Sequence, residues 1–134
     1  MGSGELPPDI PQDLADAAFY AGNGEAAWPP SVAAKAAKWL GDHGYAVLGT
    51  ELWVVKPDRT IIILPLGLSE LPEVHGNTVN RDNGETWSSF TRRAAAETFV
   101  YLSLFNPGDI VEEGDLRFNI TWVKEAEFEQ LRAR

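Results

Sequence analysis

Tyr45-Ala46-Val47-Leu48-Gly49-Thr50-Glu51-Leu52-Trp53-Val54-Val55 and, a few residues later, Thr60-Ile61-Ile62-Ile63-Leu64 are the two runs that decide the fold of this chain. β-Branched and aromatic residues dominate both, and Pro57-Asp58-Arg59 between them is turn chemistry, so the pair reads as a β-hairpin. A lone hairpin is marginal in water and must bury one face against something else. Strand alternation puts Ala46, Leu48, Thr50, Leu52 and Val54 on one side and Tyr45, Val47, Glu51, Trp53 and Val55 on the other. The first side is small and aliphatic and is expected to face the core.

Further along, Leu116, Phe118, Ile120 and Trp122 alternate with Arg117, Asn119 and Thr121. This is a strand buried on one face, which favours an antiparallel sheet. The most regular helix runs from Thr86 or Trp87 to Phe105, capped by Thr86 or Ser88, with Phe90, Ala94, Thr98, Tyr101, Leu102 and Phe105 on one side. It is expected to lie across the hairpin's aliphatic face and to stop at Asn106-Pro107-Gly108. An earlier helix is expected after Pro29-Pro30, with Ser31 as its N-cap, Val32, Ala36, Trp39 and Leu40 as its buried face, and Gly44 as the left-handed residue that ends it. His43, in the last turn, covers that helix end. Asp13 to Tyr20 reads as a short helix burying Leu14, Ala18 and Phe19, and Lys124 to Ala133 as a closing helix. The expected fold is α+β: a small antiparallel sheet, made of the hairpin plus a later strand, packed against two or three helices. Residues 1–12 read as a flexible arm and residues 13–134 as one domain.

The chain has 134 residues, with 20 Asp and Glu against 11 Lys and Arg, for a net charge of −9. Such a field repels nucleic acid and anionic lipid and steers basic partners in. Basic residues are scattered, Arg92-Arg93 being the only adjacent pair, whereas nucleic-acid binding needs a basic stripe. There is no cysteine, which removes disulfides and thiolate chemistry and fits a cytoplasmic protein. No phosphate-binding glycine loop and no nucleophile elbow occurs. His43 and His75 lack the spacing of a zinc site, and Glu70, Glu73 and Asp82 lack that of a calcium loop. No metal and no cofactor is expected. Glu51, on one face with Gly49 and Trp53, is the best acid–base candidate, since burial beside an aromatic would raise its pKa. The plainer reading pairs it with an arginine such as Arg92 or leaves it solvated.

A helix leading into Gly44-Tyr45-Ala46-Val47-Leu48-Gly49-Thr50-Glu51-Leu52-Trp53, with Glu85-Thr86-Trp87 entering a long helix, resembles the small α+β immunity proteins of bacterial polymorphic-toxin and contact-dependent growth inhibition systems. The resemblance covers Pro29 to Val123. It implies a non-catalytic inhibitor that binds a cognate toxin domain, often a basic nuclease, and occludes its active site. The acids between Asp109 and Glu129 outnumber Arg117 and Lys124, and tryptophan is enriched among residues that dominate interfaces. The expected partner-binding residues are therefore Glu112, Glu113 and Asp115, the loop acids Asp82 and Glu85, and Trp87. The alternative is a small ligand-binding domain or enzyme with a pocket around Glu51 and Trp53.

Overall fold

The structure is a computed structural model and describes residues 6–22, 24–64, 81–106 and 113–132. Among these, the chain runs α1 (Gln12–Ala17), β1 (Phe19–Tyr20), β2 (Ala26–Trp28), α2 (Pro30–Asp42), β3 (Ala46–Val55), β4 (Ile61–Ile63), α3 (Trp87–Ser103), β5 (Asp115–Val123) and α4 (Glu125–Arg132). The fold is α+β, and its one antiparallel sheet has five strands in the order β1-β2-β5-β3-β4. The hairpin and the late strand belong to it, as expected, with β5 in the middle and β4 at one edge. β1 and β2 extend it on the far side of β5, pairing Ala27 with Asn119 and Trp28 with Phe118.

The expected facing of β3 is only half right. Val47 pairs with Trp122 and Gly49 with Thr121, leaving Leu48 as an extra residue in a β-bulge. A bulge shifts the alternation by one. Val47 therefore joins Thr50, Leu52 and Val54 on the same face as their partners Trp122, Ile120, Phe118 and Leu116, while Ala46 and Leu48 turn to the other side. Two apolar clusters result. The larger holds Trp28, Leu40, Val47, Leu52, Tyr101, Leu102, Phe118, Ile120 and Trp122. The smaller gathers Ala46, Phe90, Ala94, Val123 and Phe128, with Leu48, Trp87 and Leu131 at its edge. Burial of Phe90 and Leu102 contributes about 1.5–3 kcal/mol each, and α3 supplies both clusters along its length.

Helix α2 begins two residues earlier than expected. Pro29 is its N-cap and Pro30 its first residue, and no side chain caps it, so Ser31 is not the cap. Proline suits that first position because its missing N–H would have no helical acceptor. The buried face is Ala33, Ala36, Ala37, Leu40 and Gly41, with Val32 and Trp39 only partly buried. Small residues allow close approach: a Cβ on Gly41 would collide with Ala95 Cβ and stand 2.7 Å from Thr91 O on α3. The end of α2 is as expected. Gly44 has φ +87°, and the Tyr45 N–H reaches back to Leu40 O at 3.0 Å. His43 stacks on Trp39 at 4.1 Å, and its Nδ1 lies 2.8 Å from Trp39 O.

The β3–β4 turn closes with Lys56 N–H to Thr60 O at 2.8 Å, and Arg59 takes the left-handed conformation at φ 71°. Its guanidinium lies 4.5 Å from the Phe19 ring and donates to Tyr20 O at 2.9 Å. Because β1 and β4 are opposite edges, this contact draws the two edges toward each other. The short helix expected over Asp13–Tyr20 ends at Ala17, and Phe19–Tyr20 is the edge strand β1 instead. The expected arm over 1–12 is attached from Leu6 onward, since Leu6 and Ile10 pack on the core. Residues 1–5 lie outside the described residues.

Candidate protein-binding face

The turn before α3 is built by its own sequence. Gly84 takes φ +81°, and the Glu85 N–H donates to Asp82 O at 3.0 Å. The Glu85 carboxylate folds back and accepts from the Asp82 N–H at 2.9 Å. Thr86 then caps α3, its hydroxyl accepting from the Ser89 N–H at 3.1 Å. The Trp87 indole N–H donates to Gly44 O at 2.8 Å, tying the start of α3 to the end of α2. The Trp87 ring meets Phe90 and Phe128, each at 5.5 Å between centroids.

Two arginines organise the charge here. Arg93 donates Nε to Glu85 Oε2 and Nη2 to Glu85 Oε1, both at 2.8 Å, and Nη1 to Glu97 Oε2 at 2.8 Å. Asp82 lies 3.8 Å from Arg93. Arg81 sits 5.5 Å from the Trp87 ring, donates to Glu85 O at 3.0 Å, and pairs with Glu129 at 3.0 Å and Glu125 at 3.5 Å on α4. The arginine side chains are 16% and 33% exposed, whereas those of Asp82, Glu97, Glu125 and Glu129 are more than half exposed. The cations thus lie inward, and the carboxylates form an outward rim. Glu85 is held well below the usual carboxylate range, to about 2, chiefly by its bonds from Arg93 and also by the Asp82 N–H. Arg93 is raised in turn by Glu85.

Of the expected binding residues, Asp82, Glu85 and Trp87 come together in this face. Glu113 and Asp115 do not join them. Asp115 pairs with Val55 at one end of β5, and Ala46–Val123 marks the other end, next to Gly44 and Trp87. Eight steps of about 3.3 Å separate those ends, or about 26 Å. Glu113 O accepts from Lys56 Nζ there, and Asp115 accepts from Arg117 Nε at 2.7 Å. The single surface expected from the sequence is therefore two separate acidic spots. Glu112 lies outside the described residues, as do Glu70, Glu73 and His75. Trp87 is half-buried and committed to Gly44 and the aromatic cluster, so it supports the face rather than projecting from it.

Arg81, Arg93, Glu97, Glu125 and Glu129 were missing from the expected set. Arg93 and Glu97 stand at i and i+4, the spacing at which helical side chains meet. Arg81 and Glu129 are 48 positions apart, and only the fold brings them together. At the alternative site, Glu51 is exposed and accepts from Trp53 Nε1 at 3.3 Å, and Trp53 is buried. Arg92 is not its partner in any bond seen among the described residues. No three His, Asp or Glu side chains among the described residues converge as a metal site, and no described helix is long and apolar enough to cross a membrane.

No family model matches this chain, and no curated protein or solved structure is significantly similar to it.

Proposed function

We propose that this protein is a non-catalytic immunity-type inhibitor that neutralises a basic bacterial toxin domain by lodging an anionic face over the toxin's active site. One observation carries the reading: Arg81 and Arg93 lie beneath the exposed Asp82, Glu97, Glu125 and Glu129, holding more carboxylates than they neutralise. Carboxylates fixed before binding lose little side-chain freedom when they meet a cationic surface. The net charge of −9 adds long-range steering. Glu51 is exposed and Trp53 is buried, so nothing described around this pair favours the pocket reading.

The first check is gene order. A neighbouring gene for a large secreted protein with a variable C-terminal domain is expected. Co-expression of that domain with this protein should restore growth, and an Asp82→Lys/Glu125→Lys variant should restore it less well. Absence of such a neighbour together with turnover of a small molecule by the purified protein would overturn the reading.

A further inference from the structure

The seam between α2 and α3 carries the opposite charge to the rest of the protein. The two helices are antiparallel: Gly41, late in α2, lies against Thr91 and Ala95, early in α3. Pro30 and Ala34, early in α2, share a groove with Phe99, Leu102 and Phe105, at the end of α3. From Pro30 to Gly41 there is no acid, and Lys35 and Lys38 are exposed. Asp42 pairs with Lys38 at 2.8 Å. On α3, Arg92, Ala96, Phe99 and Ser103 recur at helical spacing and are all exposed. Neither Lys35 nor Arg92 makes an ion pair seen among the described residues. The groove has a volume of about 450 Å³, and Lys35 stands on its wall. Phe99, on the groove's other wall, is 40% exposed.

We infer that this seam docks an acidic amphipathic helix of another protein, with apolar side chains in the groove and carboxylates against Lys35 and Arg92. A third helix fits the furrow between two packed helices, and helix-in-groove recognition reads apolar anchors at i, i+3, i+4 and i+7. The charge selects the occupant. A second copy would bring one anionic body against another, and an anionic membrane would be repelled in the same way. Nucleic acid needs more phosphate-neutralising cations than this seam offers. An acidic helix complements the local cations while presenting only a small part of its own chain to the wider field. No residue of the Arg81–Arg93 face takes part, so this inference stands or falls apart from toxin binding.

The probe is a fluorescein-labelled helical peptide of about 14 residues, leucine at i, i+3, i+4 and i+7, two glutamates spaced to meet Lys35 and Arg92, and alanine or glutamine elsewhere. Its twin carries lysine in place of glutamate. Fluorescence anisotropy with the full chain should show saturable binding of the glutamate peptide that weakens as salt rises. Lys35→Glu/Arg92→Glu should weaken it at least tenfold, and Phe99→Glu should abolish it, with the melting curve of the exposed double variant unchanged. Binding indifferent to these substitutions would overturn the inference, as would no binding at about 1 mM peptide. A concentration-dependent dimer lost in Phe99→Glu, without peptide binding, would give the groove to a second copy and overturn it as well.

Discussion

Glu85 and Arg93 are joined by two parallel bonds of 2.8 Å, Nε to Oε2 and Nη2 to Oε1, across eight residues of sequence. This fork fixes the turn before α3 to the helix that follows, and it sets how the charged face responds to acid. The Glu85 carboxyl sits at about 2 in the folded protein, against an ordinary value of 4.5. Between those values the unfolded chain binds the proton and the folded chain does not, so stability falls as pH drops through that window. The contribution is fully present above pH 4.5 and gone below about 2. Urea midpoints measured from pH 7 to pH 2 should fall less steeply in Glu85→Gln than in the parent across that window, from a lower starting point. Parallel curves would mean that the fork does not act on stability.

The close approach of α2 to α3 at Gly41 predicts a second effect. Alanine there would meet Ala95 Cβ and, at 2.7 Å, the backbone oxygen of Thr91, which cannot rotate away. Gly41→Ala should destabilise by about 1–3 kcal/mol through overpacking, read from chemical denaturation. Adding Ala95→Gly should recover only part of the loss, because the Thr91 contact persists. Gly22→Ala, with nothing within 4 Å of its Cβ, is the control and should stay near the parent.

The bulge at Leu48 makes a prediction that an unbroken strand would reverse. Val47 is fully buried and Glu51 is exposed, although simple alternation puts them on one face. Val47→Asp should therefore prevent folding, since an unpaired buried carboxylate is strongly disfavoured. Glu51→Lys should change the melting temperature little. Equal tolerance at both positions, read by circular dichroism, would contradict the bulge.

The parts legible in the sequence are those whose signal is local. β-Branched runs gave the hairpin, strict alternation gave β5, and Thr86 and Gly44 mark helix ends by chemistry acting within one turn. The parts that were not legible depend on distant partners. Ala26-Ala27-Trp28 is buried throughout, so it has no alternation to read, and only pairing with β5 makes it a strand. In α2 the large Val32 and Trp39 draw the eye, yet the small alanines face the core because α3 comes so near. One extra residue at Leu48 leaves no mark in composition, but it reverses every side chain before it. At the site, the acids of the 81–85 turn were visible as charge, whereas their organisation by Arg93 rests on the turn folding back against α3, and the carboxylates around Arg81 rest on α4 folding back beside it. Glu113 and Asp115 looked like neighbours of Asp82 because both stretches are acidic; the length of β5 separates them.

Ionic strength should separate the two acidic spots in any complex with a basic toxin domain. Exposed carboxylates steer encounter, and salt screens that steering over about 10 Å at 0.1 M. Glu113→Lys/Asp115→Lys should leave most of the salt dependence of association in place, because those residues lie at the far end of β5 from the Arg81–Arg93 face. A loss of salt dependence confined to that variant would move the binding face to the β3–β4 end.

The association rate of the toxin domain with Asp82→Lys/Glu125→Lys/Glu129→Lys, measured by stopped flow at low salt, is the most direct test. The anionic face predicts association at least tenfold slower than for the parent protein, with the difference shrinking as salt is added. An unchanged rate and an unchanged salt dependence would show that these carboxylates do not meet the toxin.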